Sequence, residues 1–378
     1  MFTLNEQKNC QWRIAKRPNG NVKDDDFLYD ETEIPTIENG EILLKTLYLN
    51  IAPVMRMYMS GDSVANEKSL NIGDVIHGRG VAEVIESKHP NYKVGEIHQG
   101  QIGWQTFKKS KVTPAEKFRK IEDYRLPYSI GLSTLGMTGF SAYFGFIDCG
   151  KPKENETVVI SGAGGMCGSV AAQLAKRRGA NVVAISGSKE KNHILETYLN
   201  VDKTICYKDI DYEEQLITAC RDMGGVDVYM DNVGGILSDV ILKEINHNAR
   251  IPICGQIANY DENISYMDMI SNEKGISLEI QKILKDKNAI RKRFLVLDYI
   301  EQWPDALEEL RNLVVNKELK TVETIDVGFN PGKAFTDMMN GENLGKAIVD
   351  IHGSILLNDN DATTYFEKRN DNKYWIVN

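Results

Sequence analysis

Four glycines, Gly162, Gly164, Gly165 and Gly168, stand between the apolar run TVVIS (157–161) and a segment with helical periodicity. Glycine there permits a tight turn without Cβ clashes and lets the backbone come close to a bound group. A helix starting at the turn offers N–H groups without intrahelical partners, which favour a phosphate. The strict Gly-x-Gly-x-x-Gly spacing fails because Cys167 occupies the place of its last glycine. The spacing that fits is Gly162-x-x-Gly165-x-x-Gly168, with Met166 and Cys167 inside it. After a strand and before an amphipathic helix, this pattern predicts a cradle for the pyrophosphate of a dinucleotide.

The next apolar run, NVVAIS (181–186), discriminates between dinucleotides. A site for NAD usually has an acidic residue at the end of this strand, holding the ribose 2′-hydroxyl. Here the chain reads Ser186-Gly187-Ser188-Lys189-Glu190-Lys191, so the first acid comes late and lies between lysines. Hydroxyl groups and an ammonium suit a 2′-phosphate. The reading is therefore NADP(H), with the Ser186 and Ser188 hydroxyls and the Lys189 and Lys191 ammonium groups as the candidates for the phosphate.

These residues need a scaffold. Strand-like runs follow at KTICY (203–207), VDVYMD (226–231), ARIPIC (249–254) and RFLVL (293–297). Their Val and Ile content and weak alternation suit strands buried on both faces of a parallel sheet. The intervening segments are long enough for crossover helices; in the first, Val170, Ala171, Leu174 and Ala175 share one face. The fold class is thus α/β, a doubly wound Rossmann sheet. The first 127 residues differ, being strand-rich, with bends expected at Gly78 and Gly80. Late elements, the helix WPDALEELRNLVVNKEL, the strand TVETIDVGF, the short helix PGKAFTDMMNGE and the strand GKAIVDI, are placed to return to that β-rich domain. The polar tail from residue 353 receives no functional reading.

Composition removes other classes. A net charge of -9 disfavours nucleic acid as a partner, and the basic cluster Lys282, Lys285, Lys287, Arg291, Lys292 and Arg293 reads as a solvated face. No apolar stretch is long enough to span a membrane, and the first residues lack the apolar core of a signal peptide, so a cytoplasmic protein is expected. The six cysteines and six histidines are scattered, without a CxxC or HExxH motif, so no metal site is expected.

The segments SGAGGMCGSVAAQLAK, AISGSKEK, VDVYMDNVGG, CGQIANY, RFLVLDY and NGENLGKAIVDI, with VAEVIESKHPNYKVGE and GWQTF before them, occur in one order. Together they resemble the zinc-free medium-chain reductases, and most closely the prostaglandin reductases, leukotriene hydroxydehydrogenases and alkenal/one double-bond reductases. The resemblance runs from about residue 12 to residue 351. It implies a GroES-like β domain (residues 1–127 and 303–378, the tail 353–378 being extra) and a Rossmann domain (128–302). It also implies NADPH-dependent reduction of the carbon–carbon double bond of α,β-unsaturated aldehydes and ketones. By motif, Gly164 to Cys167 would hold the pyrophosphate, Lys191 and Tyr207 would meet the 2′-phosphate ribose, and Asn232 would lie beside the cofactor. The stretch from Cys254 through Gly255 to Tyr260 would follow the nicotinamide half, and Phe294, Leu295, Val296 and Asn343 would close over it. Relatives include monomers and dimers, and a homodimer is the assembly adopted. Two departures stand out. The family often reads Gly-Met-Pro-Gly where this chain has Gly136-Met137-Thr138-Gly139, which is expected to loosen one turn. The loop after Arg56 lacks a tyrosine that some relatives place further along, leaving only the earlier Tyr58.

Reducing an enone requires a hydride at the β-carbon and stabilisation of the enolate charge. The cofactor carries the first, while the protein orients the substrate and supplies electrostatics. Tyr260 is the candidate donor to the oxyanion, weighed evenly against a tyrosine that only packs on the cofactor. Water could protonate the α-carbon. Tyr58 and Trp104, with Leu295 and Leu297 opposite, are the candidate substrate-lining residues. A quinone reductase of the same fold and a catalytically silent NADPH-binding protein are the rival readings. A zinc alcohol dehydrogenase is rejected, since its cysteine run and Cys/His/Glu ligands have no counterpart.

Overall fold

The computed structural model describes residues 7–61, 69–122, 126–260, 276–353, 365–370 and 372–378. Part of the loop after Arg56 (62–68) and of the tail (354–364) lies outside the described residues. The chain divides into two compact units: residues 1–133 with 323–376, and residues 134–322; residue 377 goes with the second and 378 with the first. The expected boundaries at 127/128 and 302/303 differ from these mainly by one helix, Trp303–Val315. It belongs to the second unit, where Trp303 packs on Phe140 with ring centroids 5.2 Å apart.

In the second unit, β1 (Thr157–Ile160), β2 (Asn181–Ser186), β3 (Lys203–Cys206), β4 (Val226–Met230), β5 (Ile245–Ile253) and β6 (Ile290–Arg293) form a parallel sheet among the described residues. Their order is β3-β2-β1-β4-β5-β6. This is the doubly wound order, reversing direction between β1 and β4. Val158, Val159, Ile160, Val182, Val183 and Val228 have no exposed surface, which explains why their runs do not alternate. The crossovers carry α1 (Met166–Arg177), α2 (Lys189–Leu199), α3 (Tyr212–Asp222), α4 (Gly235–Leu242) and α5 (Leu278–Asp286). Val170, Ala171, Leu174 and Ala175 are buried, as their spacing required. α2 starts on the Ser188 hydroxyl, which accepts the Lys191 N–H, and stops at Asn200 in the left-handed conformation (φ 62°).

The sixth strand is not RFLVL but the preceding IRKR, and the apolar run leads instead into 3₁₀ turns over Val296–Gln302. Among the described residues β6 is an edge strand with a neighbour on one side only. Charged side chains suit such a strand because they keep its open edge from pairing with another chain.

The first unit is built on a mixed sheet to which both ends of the chain contribute. Strand Ile42–Ile51 pairs antiparallel with Arg79–Ser87 on one side and, on the other, with Phe107–Ser110 along its first half and Lys346–Asp350 along its second. Val322–Val327 runs parallel to Lys346–Asp350, so the late strands, though not the helix before them, complete the β domain. Gly80 is required: a Cβ there would stand 2.8 Å from the Tyr48 carbonyl oxygen. Two tail strands, Tyr365–Asn370 and Lys373–Val377, extend the sheet beyond Val322–Val327. Trp375 is buried with the Arg369 guanidinium 4.0 Å above its ring, and the Lys373 ammonium is paired with Asp337 and, at 3.5 Å, with Asp326.

A buried ionisable pair lies within this sheet. Lys346 faces Glu323 across adjacent strands and donates from Nζ to the Ile51 carbonyl at 2.8 Å. Glu323 accepts hydrogen bonds from Ser129 (2.9 Å) and Ser133. Burial pushes the Lys346 ammonium down to about 7 and the Glu323 carboxyl upward.

Candidate dinucleotide site

The glycine turn sits at the carboxyl ends of β1 and β4, where the order of strands reverses. Such a switch point leaves a crevice with room for a ligand. Gly162 takes φ 61°, and the Gly165 N–H returns to its carbonyl at 3.0 Å. A Cβ on Gly168 would come within 2.6 Å of the Gly162 carbonyl oxygen and of the Ala163 Cα, so helix and strand approach too closely for any side chain. A Cβ on Gly164 would stand 3.2 Å from Cδ of Lys191 and 3.5 Å from Cβ of Ser186. The second glycine thus gives room to the lysine stem, and the turn is joined to the end of β2. A Cβ on Gly187 would stand 3.0 Å from the Tyr207 hydroxyl. Gly164, Lys191, Ser188 and Tyr207 are therefore gathered at the β2 end, Lys191 largely buried and Tyr207 44% exposed. The cradle that a Cβ would fill, beside hydroxyls and an ammonium, fits a dinucleotide with a 2′-phosphate.

On the other side of the turn, the Asn232 N–H donates to Ser161 Oγ (3.0 Å) and its side-chain Nδ2 to the Ser161 carbonyl (2.8 Å). These bonds lock Asn232 to the end of β1. A Cβ on Gly255 would stand 3.2 Å from the Asn232 carbonyl and 3.5 Å from the Tyr260 hydroxyl. That phenol accordingly lies over the loop after β5, where motif places the nicotinamide half. Cys167, in the first turn of α1, meets Cys254 with sulfurs 3.4 Å apart.

Sequence reasoning missed the polar groups beneath this surface. Asp231 is fully buried; its Oδ1 accepts the Gly234 N–H (2.8 Å), the Val233 N–H (3.2 Å) and the Tyr229 hydroxyl (3.0 Å). Its carbonyl accepts the N–H groups of Cys254 (2.9 Å) and Gly255 (3.3 Å), so one residue fixes two loops. The Tyr229 hydroxyl also meets Ser238 at 2.7 Å and Ser161 at 3.2 Å, and burial pushes its pKa upward so that it stays protonated. An acid directly after a strand, in VYMDNVGG, was the available signal. Arg293 adds a hydrogen bond to Gln256 in the loop after β5.

The other candidates are placed as follows. The Phe294 ring is buried against Gly145, where a Cβ would overlap it. Leu295, Val296 and Leu297 are half-buried at the start of the 3₁₀ turns. Asn343 belongs to the first unit and donates to the Gly345 carbonyl at 2.9 Å. Tyr58, in the same unit, is half-buried with its ring edge-on to His77, centroids 5.5 Å apart. Trp104 has no exposed surface and packs among Phe27 and Phe335 in the β-domain core. Thr138 occupies the second position of helix Met137–Phe144, where the N–H needs no intrahelical acceptor. Proline and threonine are both tolerated there, so this departure leaves the helix start intact.

Residues 10–121 match the family model described as the N-terminal domain of oxidoreductase, and residues 167–311 the one described as zinc-binding dehydrogenase. Among the described residues no group of three or more His, Cys, Asp or Glu could hold a metal ion. YfmJ of Bacillus subtilis (strain 168) is 38% identical over 343 residues, covering 90% of this chain and 97% of its own. The NADPH-dependent curcumin reductase of Escherichia coli (strain K12) is 32% identical over 349 residues, covering 92% and 98%. The crystal structure of CurA from Vibrio vulnificus in complex with NADPH superposes with a TM-score of 0.82 at 30% identity, covering 91% of this chain and 99% of that one. With the doubly wound sheet, the β domain completed by C-terminal strands and the glycine turn at the switch point, this chain belongs to the zinc-free reductases of the medium-chain dehydrogenase/reductase family.

Proposed function

We propose that the protein is an NADP(H)-dependent reductase that saturates the carbon–carbon double bond of α,β-unsaturated aldehydes and ketones. The observation that carries this reading is the Tyr260 hydroxyl lying beside Gly255, in the loop after β5. NADPH, when bound, supplies a hydride to the β-carbon. The chain's part is to hold the diphosphate on the turn, the 2′-phosphate by Lys191 and Ser188, and the nicotinamide half along Cys254–Tyr260. The Tyr260 hydroxyl donates to the substrate oxygen as enolate charge develops. Such a donor acts more strongly on the transition state than on the ground state and so raises the rate. The relative named for reducing curcumin supports the same substrate class.

The test follows NADPH absorbance with a 2-alkenal, an enone of the 15-oxoprostaglandin type and a quinone, with NADH as the control. Saturated carbonyl product from the first two, with little turnover by NADH, is the expected outcome. Turnover of the quinone alone would replace this reading with that of a quinone reductase. Tight NADPH binding with no turnover would leave a binding protein. Tyr260→Phe is expected to lower kcat about 100-fold, roughly 3 kcal/mol of oxyanion stabilisation, with little change in the Kd for NADPH. Unchanged kcat would reduce Tyr260 to a packing residue.

A further inference from the structure

We propose that Cys167 and Cys254 form a dithiol site oxidised by hydroperoxides, whose disulfide disables the cofactor cradle. The two sulfurs lie 3.4 Å apart on separate elements, Cys167 in the first turn of α1 and Cys254 just after β5. β4 lies between β1 and β5 in the sheet, so the sulfur contact bridges the end of β4, beside Asn232. Both cysteines are partly exposed, within reach of a small oxidant, whereas Cys10, Cys206 and Cys220 are buried. Burial pushes the Cys220 thiol up to about 12. Cys149 meets the Tyr299 hydroxyl (3.7 Å) rather than a second thiol.

The hydrogen bond with Cys254, and then burial, hold the Cys167 thiol well above the usual thiol range. In this site Cys254, carried by the loop after β5, is the attacking sulfur, and Cys167, in the first turn of α1, is the resolving partner. Cys254 attacks the terminal oxygen of the hydroperoxide; the O–O bond breaks, an alcohol leaves, and Cys254 becomes a sulfenic acid. Cys167 then attacks the Cys254 sulfur; the S–S bond forms, the S–O bond breaks, and the hydroxyl leaves as water with the Cys167 proton. Two thiols are oxidised by two electrons and one peroxide is reduced. With hydrogen peroxide both oxygens leave as water.

An S–S bond of about 2.05 Å requires the sulfurs to approach by about 1.4 Å. Cys167 has little freedom to accommodate this alone, because the next residue, Gly168, is already packed on Gly162 and Ala163. The closure therefore pulls the first turn of α1 toward the loop after β5 and displaces the N–H groups that cradle the pyrophosphate. Binding and oxidation are thus linked reciprocally: whatever factor the disulfide takes from cofactor affinity, bound cofactor adds against oxidation. A tenfold factor corresponds to a shift of about 30 mV in this two-electron couple.

This inference rests on the NADP(H) reading of the cradle, and the experiment reads the two separately. The full chain is treated with hydrogen peroxide, with and without saturating NADPH, and mapped by non-reducing peptide mass spectrometry. NADPH affinity is measured by fluorescence titration. The expected result is a Cys167–Cys254 crosslink, a rise of at least tenfold in the Kd for NADPH, reversal by dithiothreitol, and slower crosslinking when NADPH is bound. Cys167→Ser should instead accumulate sulfenic and then sulfinic acid at Cys254. Each variant is compared with itself before treatment. The proposal is overturned if Cys254 over-oxidises in the native chain while Cys167 stays alkylatable, or if the crosslink forms with NADPH affinity unchanged. Failure of the untreated chain to bind NADPH would instead overturn the cofactor reading, and the mass map would still report on the thiols.

Discussion

Lys191 is the side chain proposed to discriminate between the dinucleotides. Its backbone N–H is capped by Ser188 and its stem lies against the face of Gly164, so the ammonium is delivered from a fixed helix start rather than from a mobile loop. The proposed preference for a 2′-phosphate rests on charge. Lys191→Ala is expected to raise the Kd for NADPH about 10- to 100-fold, the ~1.5–3 kcal/mol of a charged hydrogen bond, while leaving NADH affinity within a factor of about two. Isothermal titration with both cofactors checks this, and an equal loss for both would assign Lys191 to packing. The charge pattern Ser-Gly-Ser-Lys-Glu-Lys showed two lysines here, and the family motif pointed to Lys191 of the two. Nothing there showed that Gly164 exists partly to make room for it.

At the scale of elements, the loops on the sheet edge are held by buried polar groups. Asp231 serves three donors with one carboxylate oxygen, and Asp231→Ala would strand the Val233 and Gly234 N–H groups and the Tyr229 hydroxyl. A loss of about 3 kcal/mol or more is expected in urea unfolding, together with loss of NADPH binding. Gly168→Ala forces a methyl group into backbone and should lower stability by about 1–3 kcal/mol. A thermal midpoint unchanged in that variant would show that the turn has slack. The glycine turn, the parallel sheet and the return of the late strands were legible because period, composition and order carry them. The sixth strand was not, because an edge strand obeys solubility rather than burial and IRKR has no apolar pattern. Trp104 and Phe294 were likewise hard to place, since an aromatic in a core and one in a crevice look alike in a sequence. The Asp231 network was hidden because its hydrogen bonds join residues from different strands and loops, and spacing along the chain does not encode them.

At the scale of the whole molecule, the buried Lys346 makes stability depend on pH. Its ammonium titrates near 7 in the fold and near its ordinary 10.5 when unfolded. Between those values unfolding takes up a proton, so this group makes the fold more stable as pH rises from about 7 towards 10. Lys346→Met is expected to flatten that rise, measured as urea midpoints across the range. A rise that persists in the variant would assign it to other groups. The two units also differ in how their sequence is laid out. The second is, apart from residue 377, one continuous stretch, 134–322, whereas the sheet of the first joins Ile42–Ile51 to Lys346–Asp350. In refolding with pulsed hydrogen exchange, amides of β1, β2 and β4 should gain protection before those of Lys346–Asp350, because the nearer contacts close shorter loops. Simultaneous protection would show that the two units fold as one.

That layout also matters during synthesis. The strand Ile42–Ile51 emerges from the ribosome some 300 residues before its partner Lys346–Asp350. Translation at about 5–20 residues per second leaves the second half of its side toward that partner waiting for at least about 15 seconds, while the nucleotide-binding half can already mature. This late-made strand thus acts as a closing seam, and the interval before it arrives is when a chaperone would find this chain.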